Sequence, residues 1–207
     1  MEQYPRVGYG PCLEPENRME HNQQEMVPYA SRGGYKLSAA LDKAGISVEG
    51  LLAADFGSST GGFVDVLLRR DARRLYAIEI GFGLLDWRLR NDPRVIVMER
   101  TDARTASLPE PVDLITADLG FTRQSEFIPH ALTKIKPKGL IISLIKPQYE
   151  LSGRELVQGR LTHDITDRVV HRVVDQTRQL GGNVIDVFPS EVKGKDAKTQ
   201  EFFMIVR

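Results

Sequence analysis

With a single cysteine, Cys12, the 207-residue chain has no disulfide framework, and a reducing compartment is expected. Lysine plus arginine and aspartate plus glutamate number 28 each, so there is no global positive field to gather nucleic acid, and any RNA binding needs a local patch. Nowhere does an apolar run approach the roughly 18 residues of a membrane span, and the amino terminus lacks the basic-then-apolar pattern of a secretory signal. The expected location is therefore the cytoplasm, with no membrane partner. The four histidines, His21, His130, His163 and His171, are scattered, and no Cys/His cluster has ligand spacing, so no metal is expected. Solvated or capping roles are expected for His163 and His171.

What is present suits a soluble globular protein: 41% hydrophobic and 27% charged residues, enough for one sizeable core. Residues 1–29 are rich in Pro, Glu, Gln and Asn without apolar periodicity and read as a flexible extension, leaving 30–207 as one domain. Apolar spacing from Tyr35 to Ala44 predicts a helix ended by Gly45. Beyond it, strand-like runs (LLAADF, RLYAIEI, RVIVME, VDLITAD, GLIISLIK, NVIDVF, EFFMIVR) alternate with helical segments (GFVDVLLRR, LLDWRLRN, EFIPHALTKI and about Thr166 to Leu180). That alternation predicts an α/β fold with a mostly parallel sheet of seven strands and helices on both faces. The last two runs are separated only by PSEVKGKDAKTQ, too short for a helical crossover, so the final strand should be antiparallel.

DFGSSTGGF, residues 55–63, links the first strand to the next helix. Gly57, Gly61 and Gly62 permit close backbone approach to a ligand, while Ser59 and Thr60 either cap the helix or contact the ligand. Glu79 ends the second strand, where an acid can accept hydrogen bonds from ribose hydroxyls, and Asp102, just past the third, is placed to meet an adenine amino group. The candidate cofactor set is Asp55, Gly57, Ser59, Thr60, Gly61, Gly62, Phe63, Glu79, Asp102 and Asp118. The glycines do not form GxGxxG, which disfavours a nicotinamide cofactor.

A second constellation is charged. Lys146 closes the buried run GLIISLI, and Pro147 ends the strand, so the lysine belongs at a strand's carboxyl end, the ligand-binding edge of an open α/β sheet. Asp118 ends the neighbouring run. Glu201 begins the antiparallel last strand and so reaches the same edge, and Lys36, early in the first helix, is placed to add a second ammonium. Trp87 is expected to pack in the core or against a helix rather than stack on a base.

Seven stretches carry a family resemblance: SRGGYKL (31–37), DFGSSTGGF (55–63), EIGFG (79–83), DPRVIVMERTDAR (92–104), ADLGF (117–121), IKPQYE (145–150) and QEFFMIV (200–206). In this order they resemble FtsJ-type ribose methyltransferases, most closely the TlyA branch, whose members have also been labelled hemolysins. The resemblance implies a Rossmann-like class I S-adenosylmethionine methyltransferase fold, S-adenosylmethionine as cofactor and a Lys-Asp-Lys-Glu tetrad that falls on Lys36, Asp118, Lys146 and Glu201. A ribose 2′-hydroxyl is a poor nucleophile at neutral pH, and a partly desolvated lysine beside a second ammonium loses its proton more readily, which suits Lys146 to the role of base.

The resemblance also implies an RNA acceptor, ribosomal RNA in that branch. TlyA-like proteins usually carry a small S4-type RNA-binding domain where this chain has about 30 irregular residues, and Gly120, Thr122, Arg123 and Gln124 depart from the branch pattern. A small-molecule acceptor therefore stands as the alternative, and a non-catalytic RNA-binding or hemolysin-like protein as the third reading. Local cations that would serve RNA are Arg32, Lys36, Arg123, Lys134, Lys136, Lys138, Lys193, Lys195 and Lys198, provided they converge on the strand-end rim. A monomer and a homodimer are both compatible with the sequence.

Overall fold

Leu52–Phe56 is buried along its whole length and becomes an interior strand of the sheet, as a continuous apolar run in a parallel sheet requires. The computed structural model describes residues 28–151, 162–192 and 199–207; most of the amino-terminal extension, with Cys12 and His21, lies outside the described residues, as do Lys193, Lys195 and Lys198. The elements in chain order are α1 (Arg32–Ala44), β1 (Leu52–Phe56), α2 (Gly62–Arg69), β2 (Arg74–Glu79), α3 (Trp87–Arg90), β3 (Val95–Glu99), β4 (Val112–Ala117), α4 (Gln124–Lys134), β5 (Ile135–Ile145), α5 (Pro147–Glu150), α6 (His163–Gln179), β6 (Val184–Pro189) and β7 (Phe202–Val206).

The strands form one seven-stranded sheet in the order β3-β2-β1-β4-β5-β7-β6. The pairings from β3 through β5 are parallel, and β7 runs antiparallel to both β5 and β6. Alternate side chains feed two cores. On one face Leu37, Leu41, Val64 and Leu67 of α1 and α2 pack on Ala53 and Leu114; on the other, Phe127, Ile128, Val169 and Val173 of α4 and α6 pack on Ala54 and Ile115. Each fully buried leucine or phenylalanine contributes about 2 kcal/mol.

Several boundaries differ from the sequence reading. Helix α1 starts at Arg32 because Ser31 caps it, its side chain accepting from the Gly33 N–H. The helix expected over 84–91 contracts to one turn, Trp87–Arg90, capped by Asp86. Strand β5 begins at Ile135, directly after α4, and Lys136 and Lys138 therefore sit at its amino end. That is the edge opposite Lys146, so these two lysines do not converge on the strand-end rim. Trp87 is 72% exposed rather than packed in the core. Among the described residues, no helix is long and apolar enough to cross a membrane.

Candidate active site

Parallel pairing carries the carboxyl ends of β1, β2 and β4 to one rim, and antiparallel pairing brings the start of β7 there too. The register Ile145↔Phe202 sets Lys146 and Glu201 next to each other, while Phe56↔Ala117 sets Asp118 beside Gly57. Above this rim lies a cleft of about 770 Å³ lined by every predicted site residue except Gly61.

The four charged residues form two ion pairs. Lys36 Nζ lies 2.5 Å from Glu201 Oε2, with both side chains buried. Lys146 Nζ lies 2.5 Å from Asp118 Oδ1, with 17% and 23% of the side chains exposed. The second pair lacks hydrogen-bond alignment at that carboxylate oxygen, so it is a close charge contact rather than a directed hydrogen bond. Helix α1 delivers Lys36 because its first turn lies against the start of α2: a Cβ on Gly62 would stand 2.1 Å from Ser31 Oγ and 2.8 Å from the Gly34 nitrogen. Asp65 of α2 anchors the same junction by accepting from the Ala30 N–H at 2.9 Å.

The loop 57–61 crosses the end of β1 over the cleft floor. Gly57 has φ +83°, and a Cβ there would meet Leu119 at 2.9 Å, so only glycine fits the turn. Neither Ser59 nor Thr60 caps α2, whose N-cap is Gly61 without a side-chain hydrogen bond. Glu79 accepts from the Ser59 and Gly81 N–H groups at 2.9 and 2.8 Å and thereby fixes the loop to β2. Asp102 is held by Arg104 through both main-chain and guanidinium N–H groups, and this arginine keeps its carboxyl below the usual range. Phe63 is buried and stacks on Phe203 at 6.3 Å.

Asp55 is 1% exposed, and Thr116 donates to its Oδ1 at 2.7 Å, while Oδ2 has no hydrogen-bond partner among the described residues. Burial pushes its carboxyl up to about 7 against the Thr116 hydrogen bond, with Asp118 and Glu79 adding to the rise. The folded state thus holds this proton more tightly than the unfolded chain, where an aspartate titrates near about 3.9. Asp55 ionises freely in the unfolded chain but at a cost in the fold, so its contribution to stability is lost as pH rises from about 4 to about 7. Replacing it with asparagine is expected to remove that dependence: in thermal melts from pH 4 to 8, variant Tm minus wild-type Tm should rise through this interval and then level off. A difference independent of pH would place the proton elsewhere.

Three neighbours of the site were not singled out in the sequence. Phe121 is 88% exposed at φ +56°, its ring 4.8 Å from that of Tyr149, and both line the cleft. Tyr149 in turn lies under Lys146, 5.9 Å from Nζ to ring centroid. Arg104, which pairs with Asp102, also lines the cleft. A bulky side chain in the left-handed region is the signature of a constrained loop, but a single sequence does not show φ.

Comparison with known proteins agrees with this geometry. The FtsJ-like methyltransferase family model matches residues 29–207. The 16S/23S rRNA (cytidine-2′-O)-methyltransferase TlyA of Mycobacterium tuberculosis is 37% identical over 183 residues, covering 86% of this chain and 68% of the relative. Hemolysin A of Brachyspira hyodysenteriae is 30% identical over 174 residues, covering 81% and 72%. Among solved structures, a protein of Streptococcus thermophilus that bears the hemolysin name superposes with a TM-score of 0.82 at 29% identity, covering 89% of this chain and 69% of that one. More distant S-adenosylmethionine methyltransferases share the fold at 12% and 21% identity. The chain belongs to the FtsJ-like methyltransferase family.

Proposed function

We propose that the protein methylates a ribose 2′-hydroxyl of ribosomal RNA in the cytoplasm, with residues 30–207 as the catalytic unit. The observation that carries this reading is the double ion pair, Lys36 with Glu201 and Lys146 with Asp118, set across the rim from a glycine loop. A TlyA relative 37% identical is a 16S/23S rRNA (cytidine-2′-O)-methyltransferase, which supports the choice of acceptor.

The residues suit the cofactor. Asp55 presents an unpartnered buried oxygen and Gly57 a turn that a Cβ would block, the features expected where a positively charged ligand lies close to backbone. In this reading Asp55, Gly57, Ser59, Thr60, Gly61, Gly62, Phe63, Glu79, Asp102 and Asp118 shape the cofactor end of the cleft. S-adenosylmethionine supplies an electrophilic methyl group on sulfonium. Lys146 acts in its neutral form, having first released its own proton to solvent: the amine accepts the 2′-hydroxyl proton, Asp118 balances the ammonium that results, and the Lys36–Glu201 pair holds the ribose side of the rim. Phe121 and Tyr149 offer the acceptor base an aromatic surface. The work of the protein is alignment and proton removal.

The test is transfer of labelled methyl from S-adenosylmethionine to ribosomal subunits lacking the modification. Label should appear in a 2′-O-methylated nucleotide, and acceptor affinity should fall as salt rises, because phosphate contacts release counterions. Label confined to small hydroxyl or amine acceptors, or acceptor affinity indifferent to salt, would reject the RNA reading.

A further inference from the structure

Two buried polar residues outside the cofactor loop and the tetrad join the two segments that carry Asp118 and Lys146. Gln124 is 4% exposed and opens α4, six residues after Asp118; Glu150 is 6% exposed and closes α5, four residues after Lys146. The Gln124 N–H donates to Glu150 Oε1 at 2.8 Å. Since Arg123, the N-cap of α4, makes no side-chain capping bond, the Glu150 carboxylate caps this helix from another part of the chain. The Gln124 amide completes the link: Nε2 donates to the Leu144 carbonyl at 3.1 Å, and Oε1 accepts from Ser143 Oγ at 2.5 Å. Arg172 of α6 then donates to the Glu150 carbonyl at 3.1 Å.

Gln124, Ser143 and Glu150 are buried where water is scarce, so a bond lost among them leaves a buried donor unpaired rather than rehydrated. Burial raises the Glu150 carboxyl, opposed by the Gln124 N–H and the charges of Arg123 and Arg172, with Glu126 adding slightly to the rise. The network spans residues 124 to 150 under the rim, and the residues it ties, Ser143, Leu144 and Glu150, flank Lys146 on both sides. The loop between Asp118 and Gln124 also includes Phe121, at φ +56°, whose ring packs against that of Tyr149 in the segment 143–150.

We infer that Glu150 and Gln124 are positioning residues that fix the loop 118–124 against the segment 143–150 and so set the Asp118–Lys146 pair for proton transfer. This rests on the reading of Lys146 as the base. Glu150→Ala unties the α4 amino terminus and leaves the Gln124 N–H bare, whereas Glu150→Gln keeps an oxygen acceptor at the same distance. Measured in single turnover on undermethylated ribosomal subunits, well below the Tm of each variant, Glu150→Ala should slow methyl transfer at least about tenfold, because misplacing reacting groups by an ångström is that costly. Cofactor Kd by calorimetry should stay within about twofold of wild type, since every residue proposed for the cofactor except Asp118 lies on β1, α2, β2 or the segments that follow β1 and β3. Glu150→Gln should restore most of the rate.

Amide hydrogen exchange gives a readout independent of catalysis. Peptides covering 118–124 should exchange faster in Glu150→Ala and return toward wild type in Glu150→Gln, while peptides of β1 and α2 stay unchanged. Wild-type turnover in Glu150→Ala, or loss of cofactor binding together with activity in both variants, overturns the inference. Lys146→Ala run in parallel separates the two claims: full activity there rejects the base, while an inactive Lys146→Ala beside a fully active Glu150→Ala rejects only the positioning role.

Discussion

Replacing Lys146 with alanine is expected to slow methyl transfer about a thousandfold, within the range for loss of a positioned general base. The side chain ends at the cleft rim, 2.5 Å from Asp118 and 17% exposed, close enough to the lumen to meet an acceptor and dry enough for its charge to matter. Cofactor affinity should hold, because the glycine turn and Glu79 lie on β1 and β2 and do not depend on this ammonium. Arginine at the same place makes the sharper test. It keeps the cation beside Asp118 but cannot give up its proton near neutral pH, so Lys146→Arg should be as slow as Lys146→Ala. Near-normal single-turnover rates in the arginine variant would make Lys146 a fixed charge that orients the acceptor, and the proton would have to leave by another route.

Much of this site could be read from sequence because it rests on strand ends. An apolar run of five or six residues that stops at a charged residue places that residue on the sheet's edge, whatever the helices do, and this holds for Asp118, Lys146 and Glu201. The antiparallel entry of β7 followed from a connection too short for a crossover, and it was enough to bring Glu201 to the carboxyl rim. Lys36 depended on the docking of α1, which the glycines of both α1 and α2 allow by close backbone approach.

What did not show in the sequence is set by partners far along the chain. Trp87 reads as a packing residue because it is large and apolar, yet its helix is a single turn and leaves it exposed. Lys136 and Lys138 look like a basic cluster close to Lys146, but β5 starts at Ile135, so most of that strand separates them from it. Glu79 and Asp102 reach the cleft as expected, with their carboxylates already engaged by Ser59, Gly81 and Arg104 N–H groups. The Gln124–Glu150 link joins residues 26 apart and carries no periodic signal. Pattern reading locates edges and faces; hydrogen bonds between loops need the fold.

Replacing Lys36 with methionine is expected to destabilise the protein by about 3–5 kcal/mol, the cost of leaving a buried charge without its partner. Glu201 is 5% exposed, and its side chain accepts a hydrogen bond from Lys36. For a protein of this size the loss corresponds to a fall in Tm of about 10 °C or more. Removing both charges should recover most of it. In Lys36→Met with Glu201→Leu, two apolar groups of similar length meet beside Phe203 and Leu37, which are already buried, and nothing is left unpaired. A double variant that melts like the wild type yet transfers no methyl would show that the pair is kept for chemistry at a site where stability does not require it. If the double variant is as unstable as the single one, the pair supports the packing of α1 on the sheet, and the inactivity of Lys36→Met would say nothing about the ribose.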